Sequence, residues 1–360
     1  MMTRILSTSF GLLALLASLA AQGEPYLAVE EGYKCNVCHV NPTGGGLRND
    51  FGVTYAKVLL PEQSIDAEFD KWNGKIGDIV HVGGDLRADW SRTTAPSTPA
   101  NDGFALEQFR VYGDLQIIPN KLGIYVDEQI APNGSQNEEA YVRYGNTGNG
   151  FYFKGGQFYV PFGWRLQDQS AFVRQLSGIN MTTPDKGVEL GFEKPHWSAQ
   201  LDFTNGAANT GSGTGHEITS QVQYVQRIWR LGVAASFEQA DAGNRRMGGL
   251  FAGLKTGPIA WLGELDVVRD DSFQPARTQA AALFEADWRL LKGHNLKFTA
   301  EWEDPDRHVA NDQFNRYSLV YEYTPLPFLQ LRGGFRRYAG IPQSPLENQR
   351  QLFVELHGYY

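Results

Sequence analysis

From Asp78 to the end of the chain, apolar and polar residues alternate with a period of two. Val80, Val82, Gly84, Leu86, Ala88 and Trp90 interleave with His81, Gly83, Asp85, Arg87 and Asp89. Phe109, Val111, Gly113, Leu115 and Ile117 do the same with Arg110, Tyr112, Asp114 and Gln116. A period of two puts one set of side chains on each face of a strand. The pattern recurs at Leu122–Val126, Ala140–Tyr144, Phe151–Phe158, Val188–Phe192, Trp197–Phe203 and, more weakly, Ile218–Gln226. It continues at Leu231–Phe237, Met247–Lys255, Ile259–Val267, Ala280–Trp288, Leu296–Trp302, Tyr317–Tyr323, Leu329–Phe335 and Leu352–Tyr360, which makes sixteen stretches.

The connections have a rhythm of their own. Ile118–Lys121, Asn146–Gly150, Lys194–Pro195, Arg227–Ile228, Thr256–Pro258, Leu291–Gly293 and Thr324–Pro327 are tight, and the connections between them are longer, Val160–Lys186 most of all. Short turns at one end and long loops at the other are the habit of outer-membrane barrels, with the first strand starting at the periplasmic end. The final strand carries Leu352, Val354, Leu356 and Gly358 on one face and ends on Tyr360, which resembles the terminal signal of bacterial outer-membrane proteins. The predicted fold is all-β. It is an antiparallel transmembrane β-barrel of about sixteen strands over 78–360, with a small α-helical c-type haem segment over 21–77 in front of it.

The period changes ahead of Asp78. Leu47, Phe51, Tyr55, Val58 and Leu59 recur at helical spacing, predicting a helix near Leu47–Leu60, and Ser64–Trp72 reads as a second short helix. About 55 residues cannot bury a self-sufficient core, so this segment is expected to dock in the barrel. Met1–Ala20 reads as an export signal: Arg4, an apolar centre from Phe10 to Ala17, then Ser18-Leu19-Ala20. That centre is too short to span a bilayer.

Composition agrees with a barrel. The chain has 40 glycines, 8 tryptophans, 16 tyrosines and 21 phenylalanines. A mean hydropathy of -0.37 leaves no room for a large helical membrane domain. The formal charge of -8 argues against nucleic acid as a partner, since phosphate binding needs basic surface.

The two cysteines of the chain stand in Cys35-Asn36-Val37-Cys38-His39. C-x-x-C-H is the attachment motif of haem c: the thiols add across the two vinyl groups and the histidine ligates iron. The oxidising compartment also permits a Cys35–Cys38 disulfide. A zinc site needs four ligands and the segment offers three. Gly44–Gly46 would let the backbone pass close to a flat ring. Arg48 is a candidate partner for a haem propionate, or else a solvated charge on a helix.

No methionine and no second histidine lies between Gly23 and Gly77, so a sixth iron ligand must come from elsewhere. His81 and His357 share inward parity and depth, and the first and last strands of a closed barrel are neighbours. Either is a candidate metal ligand beside His39, with His81 favoured by its short tether. A five-coordinate haem is the alternative, as is Met181 should the long loop fold deep into the lumen. On three successive strands Glu264, Asp266, Glu285, Asp287, Glu301 and Glu303 share the lumen side, with Arg316, Arg332 and Arg336 on the next two. This is ordinary polar lining, or an acidic wall that concentrates cations such as ferrous iron.

Two resemblances follow. Gly155-Gly156-Gln157-Phe158-Tyr159-Val160-Pro161-Phe162-Gly163 resembles the start of the pore-narrowing loop in the porin O/P family. The whole layout resembles the fused monohaem cytochrome c–porins of the bacterial outer membrane, whose best-known members are iron oxidases; in sequence the likeness rests on Cys35–His39 and Phe51-Gly52. This second resemblance implies one covalent haem c on the periplasmic side or in the lumen. It also implies electron transfer between an extracellular metal ion or mineral and a periplasmic c-type cytochrome, with Fe(II):cytochrome c oxidoreductase activity as one form. The alternative is a solute-diffusion porin whose haem segment is a plug or sensor.

Overall fold

The computed structural model describes residues 24–64, 72–206 and 215–360. The expected export signal, most of the expected helix Ser64–Trp72 and part of the loop after Phe203 lie outside the described residues.

Sixteen strands form one closed antiparallel barrel. They are β1 (Val80–Thr94), β2 (Asn101–Ile118), β3 (Leu122–Ala131), β4 (Gln136–Gly145), β5 (Gly150–Phe158), β6 (Asp185–Glu193), β7 (Trp197–Thr204) and β8 (His216–Val225). The series continues with β9 (Trp229–Ala240), β10 (Gly243–Thr256), β11 (Ile259–Asp270), β12 (Arg277–Leu291), β13 (His294–Asp304), β14 (Phe314–Leu326), β15 (Leu329–Ala339) and β16 (Arg350–Tyr359). Each strand pairs with its neighbours in sequence, and β16 closes onto β1 with Leu356 opposite Ala88. A two-residue stub, Lys75–Ile76, pairs with the start of β1.

The faces are inverted relative to a soluble protein. On β9, Leu231, Val233 and Phe237 point out and are accessible, whereas Arg230, Ser236 and Glu238 point in and are buried. An apolar outside and a polar inside are what lipid around a wet lumen demands, and closure leaves no strand edge unpaired. The chain is thus a barrel of the bacterial outer-membrane type.

Three of the expected long loops, those after Thr93, Ala131 and Gln239, are shorter than the alternation implied. β2 begins at Asn101, and β9 and β10 run to a turn at 241–242. Residues 101–107 are accessible on both faces, so the apolar–polar contrast fades there while the backbone ladder continues. The connection 159–184 stays long, turns into the lumen and carries a short helix, α3 (Phe172–Ser177).

The N-terminal segment fills the other half of the lumen. It contains α1 (Pro25–Glu31) and α2 (Asp50–Thr54), the latter running on as a wider π turn over Tyr55–Leu59. Helix therefore starts at Asp50, three residues later than the expected Leu47. Asn49 sets that start, its side chain accepting from the Gly52 N–H, while Leu47 lies at a bend before it, packed against the barrel. Seven residues were too few for α1 to show a periodicity.

Tight turns mark the periplasmic end, and the segment bonds to them there. Asn36 donates to the Thr147 carbonyl at 2.8 Å, Lys34 to the Lys194 carbonyl at 2.7 Å, and the Glu62 N–H to the Thr324 carbonyl at 2.8 Å. The core it lacks by itself is supplied by the barrel and the loop. Tyr26 and Val29 pack with Phe162, Trp164 and Phe251, and Val40, Leu47 and Ala56 pack with Tyr112, Tyr125, Tyr141 and Tyr359.

Candidate functional site

The motif Cys35–His39 is built as a tight local unit. Cys35–Val37 is one turn of 3-10 helix, and the N–H groups of Cys38 and His39 both donate to the Cys35 carbonyl, at 3.2 and 3.0 Å. His39 then pairs with Arg48 across a single antiparallel bridge, and the Val40 N–H donates to the Leu47 carbonyl at 3.0 Å. Asn49 ties this loop to the motif: its Nδ2 donates to the carbonyls of Asn36 (3.1 Å) and Val37 (3.0 Å) while its Oδ1 caps α2. Hydrophobic spacing did not single out Asn49; a capping residue ahead of a short helix was the available signal.

Gly44, Gly45 and Gly46 have φ of 91°, 76° and 61°, the left-handed region that favours glycine. A Cβ on Gly44 would lie 3.3 Å from Cys35 Sγ, one on Gly45 2.7 Å from Met181 Cε, and one on Gly46 2.1 Å from Tyr125 Oη. The turn is thus squeezed between the motif, the lumenal loop and the barrel wall.

Cys35, Cys38, His39 and Arg48 line one cavity of about 860 Å³, part of it open to solvent. Tyr33 and Tyr55 complete its segment side, Gly163–Arg165 its loop side, and Gln221, Gln223 and Phe251 its barrel side. Both cysteines are free thiols. Burial raises the Cys35 thiol and pushes Cys38 up to about 11. Burial, aided by the charge of Arg48, pushes His39 down to about 3, leaving a neutral imidazole. Its Nδ1 is buried without a hydrogen-bond partner among the described residues, as is Nη1 of Arg48. The Arg48 guanidinium sits 4.9 Å from the centre of the Tyr359 ring.

The rest of the segment is anchored around this cavity. Lys34 pairs with Glu193, Glu24 with Lys297 (3.0 Å), and Arg230 donates to the Ala28 carbonyl (2.5 Å) and to that of Tyr33. Arg165 of the loop reaches the Gly44 carbonyl at 2.9 Å.

His81 and His357 are not in the cavity lining. His81 is half-buried on β1 opposite Lys75. His357 is buried, with Nδ1 3.1 Å from Gln330 Oε1 and Nε2 3.0 Å from Asp85 Oδ2. The four residues of the N-terminal segment are brought together, and the two barrel histidines stand apart from them.

The acidic wall is on the lumen side as expected, but it does not face open water. Glu264 pairs with Arg174 and accepts from the Trp164 N–H at 3.0 Å; Glu301 pairs with Arg316 at 2.5 Å and accepts from the Phe172 N–H at 2.8 Å. Lys297 lies 3.8 Å from both Glu285 and Asp287. The loop 159–184 covers Glu264 and Glu301, and Lys297, paired with Glu24 of the N-terminal segment, offsets Glu285 and Asp287, so these carboxylates hold the lumen's contents in place.

Solved structures with the same fold include outer-membrane porins and channels. An anion-selective porin from Comamonas acidovorans superposes with a TM-score of 0.62 at 12% identity, covering 78% of this chain and 99% of that one. The outer membrane channel DcaP of Acinetobacter baumannii gives 0.56 at 13% identity, covering 77% and 96%. Salmonella typhi OmpF, solved with daunomycin, gives 0.60 at 9% identity, covering 78% and 98%. No protein-family profile and no curated protein sequence matches the chain.

Proposed function

We propose that this outer-membrane barrel carries one covalent haem c in the cavity at Cys35, Cys38 and His39 and passes single electrons between the cell exterior and the periplasm. One observation carries the reading: Cys35, Cys38 and His39 of a C-x-x-C-H motif all line a single cavity inside the lumen. The residues present fit the group. His39 offers a neutral imidazole in the cavity lining, and the unpartnered guanidinium nitrogen of Arg48 suits a propionate. Attachment is redox-neutral: each thiol adds S–H across a vinyl C=C, the sulfur to one carbon and the hydrogen to the other.

Haem c supplies a one-electron ferric/ferrous couple. The chain's own residues set where that couple would stand. Tyr33 and Phe51 meet edge-to-face at 5.6 Å, and Phe51 is exposed on the segment, an apolar approach for a periplasmic cytochrome. On the other side lies Trp164 of the lumenal loop, in edge contact with Phe251 at 5.2 Å. An apolar band about 25 Å tall separates the two compartments, and a redox group inside the lumen divides that distance. With ferrous iron as donor, Fe2+ loses one electron to become Fe3+ outside, and one ferric cytochrome is reduced inside.

The likeness to solved channels supports a second reading, a solute-diffusion porin with its N-terminal segment as plug. Haem staining of the denatured protein, followed by stopped-flow reduction of an enclosed cytochrome c in vesicles given external Fe2+, separates the two. The electron-transfer reading expects haem that resists extraction and cytochrome reduction that is lost in Cys35→Ser/Cys38→Ser. Bound haem with no electron exchange and free leakage of small solutes would establish the second reading instead.

A further inference from the structure

At the end of the barrel remote from the tight turns, arginines stand directly opposite arginines. Arg246 of β10 is the cross-strand partner of Arg269 of β11, and Arg337 of β15 is that of Arg350 of β16. Both members of each pair lie on the outward face of the wall. Arg246 shares that face with Leu250, Arg269 with Val267, Arg337 with Phe335 and Arg350 with Leu352, all accessible side chains of the apolar band. All four arginines are exposed.

Side chains directly opposed in an antiparallel sheet have Cβ atoms about 4.5–5.5 Å apart, and like charges placed there are destabilising. The neighbours in each row do not offset the repulsion. Phe237 and Thr278 flank the first pair, and Tyr317 and Thr94 the second. Arg269 has Asp271 at 3.1 Å, and the Arg246 guanidinium lies 5.9 Å from the centre of the Phe237 ring. Two guanidinium groups side by side match the oxygens of one phosphate. Their position selects the carrier of that phosphate. They point away from the lumen, one outward residue beyond Val267, Phe335 and Leu352. That is the level at which the wall leaves the apolar band, on the side facing the exterior, and where an aromatic girdle belongs. An anion arriving from the side at that level is a lipid headgroup.

We propose that Arg246 with Arg269, and Arg337 with Arg350, bind the phosphate groups of an anionic glycolipid of the outer leaflet. The sites lie on the outside of the wall, so they are independent of the haem reading and hold equally for a plain channel.

The test uses the full chain in a neutral detergent. It is titrated with diphosphoryl lipid A, with dephosphorylated lipid A carrying the same acyl chains, and with inorganic phosphate, and bound molecules are counted by native mass spectrometry. The diphosphoryl lipid is expected to bind at least about tenfold more tightly than the dephosphorylated one, the worth of one charge-assisted hydrogen bond. Arg246→Gln/Arg269→Gln and Arg337→Gln/Arg350→Gln should each lose one tightly held lipid. Lys121→Gln/Lys292→Gln, at exposed positions by the tight turns of the other end, should lose none. Thermal midpoints add a change of sign that a merely structural role would not produce. Arg350→Gln relieves an opposed pair, so it should melt above the unchanged chain in neutral detergent and below it once diphosphoryl lipid A is added. Equal binding of the two forms of lipid A overturns the proposal, as does equal loss in the lysine variant. Inorganic phosphate binding as tightly as the lipid would leave a free-anion site only and overturns the lipid assignment. A lower midpoint for Arg350→Gln in both media would mean that the arginines serve the fold, and overturns it too.

Discussion

The loop 159–184 and the N-terminal segment 24–64 both lie inside the barrel, and they are held by different balances of buried charge and carbonyl bonds. The loop is fastened by buried charge. Arg174 pairs with Glu264, Asp168 takes both Arg316 (2.9 Å) and Arg336 (2.8 Å), and Arg245 reaches the Ser177 carbonyl at 2.8 Å. The segment has two buried ion pairs, Lys34–Glu193 and Glu24–Lys297, and adds at its rim side chains reaching backbone carbonyls: Asn36 on Thr147, Lys34 on Lys194, Lys255 on Glu30. Ion pairs taken out of water fix one geometry and punish loss of a partner. Bonds to carbonyls at the rim hold a body in place while leaving its inner face free. The inner face here is the one that carries Cys35, Cys38 and His39.

The contrast can be broken one side at a time. Arg174→Leu strands Glu264 in the interior and should cost about 3–5 kcal/mol. It should lower the denaturation midpoint and raise single-channel conductance; unchanged conductance would show that the loop does not need its charge pairs. Lys34→Met is milder, because Glu193 keeps Ser198 at 2.5 Å and Gln200 at 3.2 Å. It should cost about 1–3 kcal/mol, seen as faster protease cleavage within 24–64 while the barrel stays folded. Equal destabilisation of barrel and segment would erase the distinction drawn above.

Asn49→Ala removes a helix cap, worth about 1 kcal/mol, and with it the ties to Asn36 and Val37. Reduced haem attachment with an intact barrel is the expected readout, by haem stain against total protein. The smallest effect belongs to Lys75→Ala. Its partner Asp50 is 2.5 Å away, but the pair is solvent-exposed, so the change should stay below about 1 kcal/mol. A larger loss there would mean that the stub Lys75–Ile76 helps seat the segment.

Much of this architecture is written in short-range pattern. A period of two and alternating turn lengths declare the number of strands, their faces and the end from which the segment enters, because every wall residue obeys the same lipid-or-lumen rule. Cys35, Cys38 and His39 are legible for a similar reason: their chemistry needs contiguous spacing. Arg48 could be named but not assigned, since either a solvated or a buried cation fits its place in the sequence.

Contacts between residues far apart in the chain belong to the tertiary structure alone. Glu264 and Glu301 look like a charged pore lining until a loop some hundred residues away covers them. His81 and His357 share parity and depth, yet the direction of a side chain within a lumen depends on what else occupies it, and Asp85 and Gln330 take His357. Gln221 and Gln223 carry no signal in an alternating strand, and the N-terminal segment makes them cavity walls. Local periodicity determined the container and the motif. Which wall residues face the motif was decided by how the segment and the loop share the lumen, a matter of volume and buried charge that no local pattern encodes.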